Sequence, residues 1–235
     1  MKESLKKLCA IMQPTYLPWP GYFNLIASSD VFYYLDDAQF EKGTWQQRNR
    51  ILMNGHPLFL TVPTTRQYLG QPIKDILISD DNSSWRTKHL TTLNYAYKKK
   101  PYFDSLQGIF SIISNRRHKY LVDLNISIIE CICDMLSLHS NRLLSSSKAF
   151  ESSRSTKILD LCIAEDCNAY ISPIGAAEYL AEDCFETNSQ VALTFQDYKP
   201  ANYSQGCNSE FISHMSILDA LVNIGIDEVK SYIMK

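Results

Sequence analysis

The sequence predicts an α/β protein with a mostly parallel sheet, and three patterns support this class. Two short apolar runs, at residues 8–12 and 31–35, flank a segment with helical spacing, as in a strand-helix-strand unit. Two further apolar runs flank Asn54-Gly55, a dipeptide typical of hairpin turns. From Ser83 onward the apolar spacing becomes helical. Together these patterns predict a nucleotide-binding-like (Rossmann-like) sheet with a β-hairpin and a helical insert.

The first strand leads into a stiff loop at residues 13–21. This loop contains three prolines and a glycine, and each proline fixes its own φ and biases the preceding residue away from helix. Helical spacing resumes at Tyr22, and the second strand ends at Asp36-Asp37. Because parallel strands share one carboxyl edge, the loop and the aspartates should emerge together, where open α/β sheets bind ligands.

The remaining elements follow in chain order. The predicted hairpin spans residues 51–62, and alternation at residues 73–78 suggests an edge strand. Ser83 or Ser84 is positioned to cap the first helix of the insert. Three helices, near residues 85–97, 103–113 and 120–136, form that insert at about residues 83–138 of a single domain spanning residues 1–235. Strands are predicted at 141–145, 169–172 and 191–195, and helices at 157–165, from about 175, at 217–223 and at 227–234.

Composition excludes several classes of protein. A net charge of −2 argues against a protein that coats DNA, although Lys98-Lys99-Lys100 leaves room for phosphate contacts. No apolar run is long enough for membrane insertion and no signal peptide precedes the first strand, so we expect a cytoplasmic protein. The 7 cysteines include no Cys-x-x-Cys pair, which favours buried thiols over disulfides or a metal site.

Several motifs, in the same order along the chain, resemble one known family. The opening match comprises residues 12–23, 30–32, 35–40 and 48–51, and later matches cover 94–103, 169–175 with Tyr179-Leu180, 195–198 and 215–221. These segments resemble the WbqC-like family of bacterial O-antigen gene clusters. The resemblance implies a transferase that attaches glycine or another amino acid to an amino sugar.

A fainter similarity lies within the loop. Residues 15–22 have the spacing of the phosphate-binding signature of class I nucleotidyltransferases, in which the positions of Trp19 and Tyr22 are histidines. This chain lacks both histidines, so the adenylyl transfer that they support is not expected. A related fold that binds a nucleotide without that chemistry remains open.

Most of the candidate site residues are expected near the carboxyl edge of the predicted sheet. Aromatic faces, polar groups and a cation suit a nucleotide-linked sugar. The candidate binding residues are Gln13, Tyr16, Trp19, Tyr22, Asp36, Gln39, Arg48, Asn49, Lys88, Ser172 and Gly175. Amide formation also needs a base for the sugar amine, for which Asp37 is the first candidate and His89 the second.

The resulting expectation is an aminoacyl, and by resemblance a glycyl, transferase acting on a nucleotide-linked amino sugar in lipopolysaccharide (O-antigen) synthesis. The donor is left open between aminoacyl-tRNA, a carrier thioester and an amino acid activated by ATP. The sequence identifies no cofactor with certainty. It leaves open the use of ATP and the binding of Mg²⁺ by Asp36 or Asp37. The alternatives are a non-catalytic nucleotide-sugar-binding protein and a degenerate nucleotidyltransferase-like enzyme.

Overall fold

The computed structural model describes residues 6–80, 84–188, 190–206 and 210–235, which divide into two compact units. The sheet unit comprises the described residues within 1–13, 24–36 and 138–198. The hairpin unit comprises those within 14–23, 37–137 and 199–235. Each unit is therefore assembled from chain segments far apart in sequence.

The strands and helices have the following bounds. The strands are β1 (Leu8–Met12), β2 (Val31–Tyr34), β3 (Arg48–Met53), β4 (His56–Thr61), β5 (Asn141–Leu144), β6 (Ala169–Ser172) and β7 (Ala192–Phe195). The helices are α1 (Pro20–Ala27), α2 (Trp85–Tyr97), α3 (Gln107–Ser114), α4 (Leu121–Met135), α5 (Arg154–Ala164), α6 (Ala177–Glu182), α7 (Phe185–Asn188) and α8 (Ile217–Ile233).

The sheet unit contains a five-stranded parallel sheet in the order β5-β2-β1-β6-β7. With the hairpin strands left out, this is the doubly wound order 3-2-1-4-5, in which the strand order reverses between β1 and β6. Cys9 and Ile11 of β1 pack with Val31 and Tyr33 of β2 in a buried apolar cluster. Such runs form strands because both faces of a parallel sheet are covered. The predicted α/β class and parallel sheet are confirmed.

The hairpin unit contains the antiparallel pair β3-β4, joined by Asn54-Gly55. Met53 pairs with His56, and both turn residues have positive φ, +52° for Asn54 and +78° for Gly55. A type I′ turn requires positive φ at both central positions, which is why this dipeptide favours it. The predicted hairpin is confirmed.

Helices α2, α3 and α4 confirm the helical segments predicted for the insert, with two differences at their ends. Ser84 precedes α2 without a capping hydrogen bond from its side chain, and Ser83 lies outside the described residues. The second helix begins as a 3₁₀ helix, Phe103–Leu106, before α3.

The edge strand predicted at residues 73–78 is wrong. Ile73–Asp75 forms a 3₁₀ helix, in which the Ile76 N–H donates to the Ile73 carbonyl. Leu77 and Ile78 make only isolated bridges. Ile73 and Ile76 are both buried because a single tight turn places residues three apart on one side. The apolar spacing therefore came from a turn and not from a strand.

The C-terminal helices predicted at 217–223 and 227–234 are two segments of α8. Gly225, with φ +79° and ψ 170°, interrupts the helical backbone between them. A Cβ at this position would lie 3.0 Å from the Tyr102 ring, so glycine satisfies both the backbone conformation and the close packing. Among the described residues, no helix combines the length and hydropathy of a membrane span.

Side chains from distant elements hold the proline-rich loop through its carbonyl oxygens. The buried Asn125 of α4 donates from Nδ2 to the carbonyls of Pro14 (3.1 Å) and Gln46 (2.8 Å). Asn49 Nδ2 donates to the Leu17 carbonyl at 2.9 Å. Buried carbonyls without a donor are costly, so these amides fix the path of the loop.

Replacing Asn125 with leucine should destabilise the protein. Asn125→Leu keeps the volume but removes the amide that donates to the Pro14 and Gln46 carbonyls, at a cost of about 2–4 kcal/mol in the free energy of unfolding. Urea denaturation followed by circular dichroism measures this cost. The control, Asp134→Asn on the exposed side of α4, should change it by less than about 0.5 kcal/mol. Equal stability of the two variants would contradict the role given to Asn125.

Candidate functional site

Four of the sequence-predicted site residues belong to the sheet unit. Gln13 directly follows β1 and is half-buried, and the fully buried Ser172 ends the neighbouring strand β6. Gly175 is exposed in the 3₁₀ helix Ile174–Ala176. Gln13 and Ser172 thus follow or end the two neighbouring strands between which the strand order reverses.

Asp36, the fourth of these residues, is buried and engaged by its own unit. Its Oδ1 accepts hydrogen bonds from the Ser145 hydroxyl (3.0 Å) and the Ser146 N–H (2.9 Å), and its Oδ2 accepts from the Ser146 hydroxyl (2.5 Å). The carboxylate therefore ties the end of β2 to the turn that follows β5. These bonds account for the burial of Asp36 without a ligand.

The other predicted site residues belong to the hairpin unit and differ in exposure. Tyr16, Tyr22, Asn49 and His89 are buried; Trp19, Asp37 and Arg48 are half-buried; Gln39 and Lys88 are exposed. Asn49 holds the Leu17 carbonyl, and Leu17 itself has a φ of +46°, which is unfavourable for a branched side chain. Asn49 therefore has a structural task in the loop, and the binding roles of the set stay predictions.

His89 is a buried partner of Tyr16. The Tyr16 hydroxyl and His89 Nδ1 are 2.9 Å apart, and the His89 ring meets the Trp85 ring edge-on at 5.1 Å. Burial lowers the pKa of His89 to about 4, opposed by a hydrogen bond to the Thr61 backbone that favours the protonated ring. His89 is thus neutral at pH 7 and accepts from Tyr16. Its contacts suit a residue that positions the loop, and its role as a base stays a prediction.

Trp19 and Tyr22, which replace the histidines of nucleotidyltransferases, have different surroundings. The Trp19 ring stacks on His214, with centroids 4.8 Å apart and planes 27° apart. A Cβ on Gly21 would lie 2.2 Å from the Trp19 ring, so glycine is needed for that ring position. Tyr22 is fully buried, and burial raises its pKa. Neither residue supplies the cationic group of a histidine.

A cavity of about 650 Å³ lies within the hairpin unit. Its walls come from the β3-β4 turn, the end of α2 with the residues after it, residues 204–206, and the first turns of α8. This volume is in the range of sites for small ligands and cofactors. Lys98, Lys99 and Lys100 line it together with Asp219 and Gln205.

Asp219 is the buried carboxylate of this cavity, with 0% of its surface exposed. Its Oδ2 accepts from the Tyr203 hydroxyl (2.8 Å) and from Gln205 Nε2 (3.1 Å). Within the described ranges its Oδ1 has no hydrogen bond of normal geometry, although the nearby Tyr97 hydroxyl interacts with the carboxyl. One oxygen of this buried carboxylate is therefore less well satisfied than the other.

Burial raises the pKa of the Asp219 carboxyl above its ordinary value. The hydrogen bonds from Tyr203 and Gln205 and the charge of Lys100 act in the opposite direction. A carboxylate with a raised pKa is a stronger base than an exposed one, because its pKa lies closer to that of the group it deprotonates.

The lysines give the cavity a positive side. Lys98 and Lys99 are exposed, whereas Lys100 is half-buried and its ammonium donates to the Gln205 carbonyl. Gly206 has a φ of +65°, and a Cβ there would lie 2.6 Å from Lys100 Nζ. Three adjacent cations suit a phosphate or diphosphate group.

Asp219 is not among the residues predicted from the sequence, because its position also fits an ordinary helix-capping motif. Ser216-x-x-Asp219 has the form of a capping box at the start of a helix. In a capping box the acid bonds back to the N–H of the capping residue, but the Ser216 N–H donates to the Arg50 carbonyl at 2.8 Å. The Asp219 carboxyl bonds Tyr203 and Gln205 instead. A signal was present nonetheless, in the motif match at residues 215–221.

The site thus defines a class: an α/β protein with a parallel sheet and a hairpin unit that carries a lysine-lined cavity around a buried carboxylate. Residues 13–231 match the WbqC-like protein family, and the chain belongs to that family. An uncharacterized protein of Mycobacterium tuberculosis, Rv1507c, is 30% identical over 223 residues, covering 94% of this chain and 95% of that protein. No solved structure matches the chain.

In the part of the chain that the structure describes, no group of three or more His, Cys, Asp or Glu side chains could hold a metal ion.

The low pKa of His89 predicts a pH dependence of stability. The pKa in the folded protein, about 4, lies below the value of about 6.5 in an unfolded chain, so the unfolded state binds the proton more tightly. The stabilising contribution is complete above pH ~6.5 and is lost as the pH falls toward ~4, by up to about 3 kcal/mol. Thermal melts of the wild type and His89→Gln over this pH range should show a shallower dependence for the variant.

The exposed His56 provides the control for this experiment. His56→Gln should keep the wild-type pH dependence, because the exposed His56 is not part of the buried Tyr16–His89 pair. If His89→Gln and the wild type lose stability in parallel between pH 6.5 and 4, the assignment to His89 is wrong.

Proposed function

We propose that this protein is an aminoacyl transferase, with glycine as the first candidate for the transferred group, that forms an amide on the amino group of a nucleotide-linked amino sugar in O-antigen synthesis. The observation that carries the proposal is the buried Asp219, one of whose oxygens has no hydrogen bond of normal geometry among the described residues, in the wall of a cavity lined by three lysines. Family membership supports it independently.

The charged groups that line the cavity suit two parts of this substrate. Lys98 and Lys99 lie at its exposed side and suit the diphosphate that links nucleoside and sugar. Asp219 lies at its buried side, where a carboxylate would bind the ammonium of an amino sugar. A sugar diphosphate bound between these groups would present its amine to the base.

The proposed reaction begins with a proton transfer from the sugar ammonium to Asp219. The free amine then attacks the carbonyl carbon of the aminoacyl donor, and a new C–N bond forms. The bond from that carbon to the donor oxygen or sulfur breaks, and the leaving group takes up a second proton, which the attacking nitrogen loses as the amide forms. Asp219 then releases the first proton to solvent. The ammonium of Lys100, held beside the cavity by the Gln205 carbonyl, is suited to stabilise the negative charge that develops on the carbonyl oxygen.

Donors that are already activated fit this scheme best. An aminoacyl-tRNA ester or a carrier thioester has a leaving group and needs neither ATP nor Mg²⁺ in this step. A nucleotide-sugar-binding protein without turnover is the alternative, and it needs the lysines but not the base. Substitution of Asp219 therefore separates the two functions.

The direct test uses purified protein, a nucleotide-linked 3-amino or 4-amino sugar, and glycyl donors of both kinds. Mass spectrometry of the sugar product should show a gain of one glycyl residue. Protection of the protein from thermal unfolding by the sugar without any mass gain would support the binding alternative and contradict transfer.

Asp219→Asn should abolish transfer without harming the fold. The asparagine carbonyl can accept both bonds that now converge on Oδ2, from Tyr203 and Gln205, but the amide cannot take a proton. We expect kcat to fall by about 100- to 10,000-fold. The control is Asp227→Asn, at an exposed position of the same helix, which should retain wild-type activity.

The melting temperature provides a second readout for the same variant. Because its pKa is raised in the folded state, Asp219 stabilises the fold when protonated, and this contribution is lost as the pH rises above the ordinary range of an aspartate. Asp219→Asn should therefore melt at or above the wild-type temperature at pH 7, and the two should converge near pH 4. Full activity of the variant, or a lower melting temperature at pH 7, would contradict this role of Asp219.

Removing the two exposed lysine charges should weaken substrate binding more than turnover. In Lys98→Gln/Lys99→Gln the KM for the nucleotide-linked sugar should rise about tenfold, as expected for the loss of charged phosphate contacts, with kcat little changed. Steady-state kinetics at low and high salt measure this, and the variant should be less sensitive to salt. Lys230→Gln, exposed on α8, is the control. An unchanged KM in the double variant would place the phosphates elsewhere.

A further inference from the structure

The solvent face of the β3-β4 hairpin carries two large exposed aromatic rings. Trp45, just before β3, is 48% exposed, and Phe59 of β4 is 44% exposed. Their ring centroids are 6.0 Å apart and their planes differ by 30°. The outward face of a two-stranded sheet is ordinarily polar, so two neighbouring rings there call for an explanation.

Two arginines each contact one of these rings. The Arg48 guanidinium lies 4.6 Å from the Phe59 ring centroid, and the Arg50 guanidinium lies 5.5 Å from the Trp45 centroid. Strand register causes this arrangement, since Arg50 pairs with Phe59 and alternate residues of β3 share one face. We call Arg48, Phe59, Trp45 and Arg50 the aromatic-arginine row.

The inward face of the same hairpin has the opposite character. Asn49, Ile51 and Leu60 are buried there, so the hairpin is already fixed by its inner side. The row is therefore not needed to form the core. Its members include two cations and no carboxylate, which favours an anionic partner that also offers flat rings.

The row continues toward a second ring stack. Arg50 Nη2 donates to the His214 carbonyl at 3.2 Å, and the His214 ring stacks on Trp19. Trp19 and Arg48, which the sequence reasoning had selected as binding residues, thus lie on one connected surface. The selection of both residues stays a prediction, but the structure connects them.

We propose that the aromatic-arginine row binds a single-stranded segment of RNA. Successive unpaired bases would stack on Trp45 and Phe59, and the phosphates would contact Arg48 and Arg50. Rings that stack on bases and cations that follow the backbone are the two components of single-strand binding sites. Paired bases cannot offer their faces in this way, so a duplex is disfavoured.

The position of the row specifies the role of this RNA, and here the inference rests on the proposed function. Strand β3 carries both arginines of the row, and its Leu52 and the turn residues Asn54 and Gly55 line the cavity. The Arg50 carbonyl accepts from the Ser216 N–H, and the Ser216 carbonyl accepts from the Asp219 N–H (3.0 Å). The whole strand spans only about 20 Å. An RNA 3′ end on the row would lie beside the cavity, as an aminoacyl-tRNA donor requires.

Fluorescence anisotropy with a labelled single-stranded oligoribonucleotide ending in CCA-3′ tests the proposal without any transfer reaction. The wild type should bind it, and Trp45→Ala and Phe59→Ala should each raise Kd by about five- to 100-fold, the effect of losing one stacked base. Arg48→Gln should weaken binding and reduce its dependence on salt. Trp45→Phe should restore most of the affinity, and circular dichroism establishes that each variant is folded.

Tyr68→Ala provides the matched control, because Tyr68 is 64% exposed in the same unit but outside the row. It should bind as the wild type does. No binding by the wild type, equal weakening by Tyr68→Ala, equal affinity for duplex RNA, or competition by UMP as effective as by the oligonucleotide would each overturn the proposal. The last result would assign the row to a mononucleotide.

The outcomes also separate this inference from the proposed function. If the wild type binds RNA, the row variants do not, and no amino sugar is modified, then the row is an RNA site and the proposed reaction is wrong. If the protein transfers glycine from a thioester but does not bind RNA, the proposed reaction stands and the RNA-binding role of the row is wrong.

Discussion

The hairpin unit depends on the hydrogen bonds that the backbone carbonyls of the proline-rich loop accept from other elements. Residues 14–19 form no regular structure, so their buried carbonyls must find donors elsewhere. The Asn125 side chain of α4 donates to the Pro14 carbonyl, and the Asn49 side chain of β3 donates to the Leu17 carbonyl. The N–H of Ile217 in α8 donates to the Pro18 carbonyl at 2.8 Å. Three elements from distant parts of the chain therefore converge on one loop, and their mutual positions follow from it.

The same convergence gives the cavity its chemistry. Ile217 and Asp219 lie in the first turn of α8, so the helix end that donates to the loop also carries the buried carboxylate. Burial is favourable for the apolar residues of that turn but costly for a charge, and the hydrogen bonds from Tyr203 and Gln205 to Oδ2 offset part of that cost. A partly satisfied buried carboxylate is a strained arrangement, which is typical of functional sites.

Much of the fold was accessible from the sequence, since short-range patterns specify it. Continuous apolar runs marked the parallel strands, and Asn54-Gly55 marked the hairpin. Predictions failed where one sequence pattern has two physical causes. The apolar spacing at residues 73–78 came from a 3₁₀ turn. Ser216-x-x-Asp219 has the form of a capping motif, but its acid is buried and bonds Tyr203. His89 and Asp36 were selected for their chemistry, yet both have internal partners that no local pattern predicts.

By itself the sequence determined the α/β class, the hairpin turn, the helical segments and the kinship with the WbqC-like family, because propensity, alternation and motif order are properties of the chain. Tertiary structure alone decided which polar groups are buried and which partners they have there. That difference depends on long-range contacts, such as Tyr16 with His89 or Arg50 with Ser216, which join residues far apart in sequence. The pKa of a carboxyl and the exposure of a ring follow from those contacts and not from the residue type.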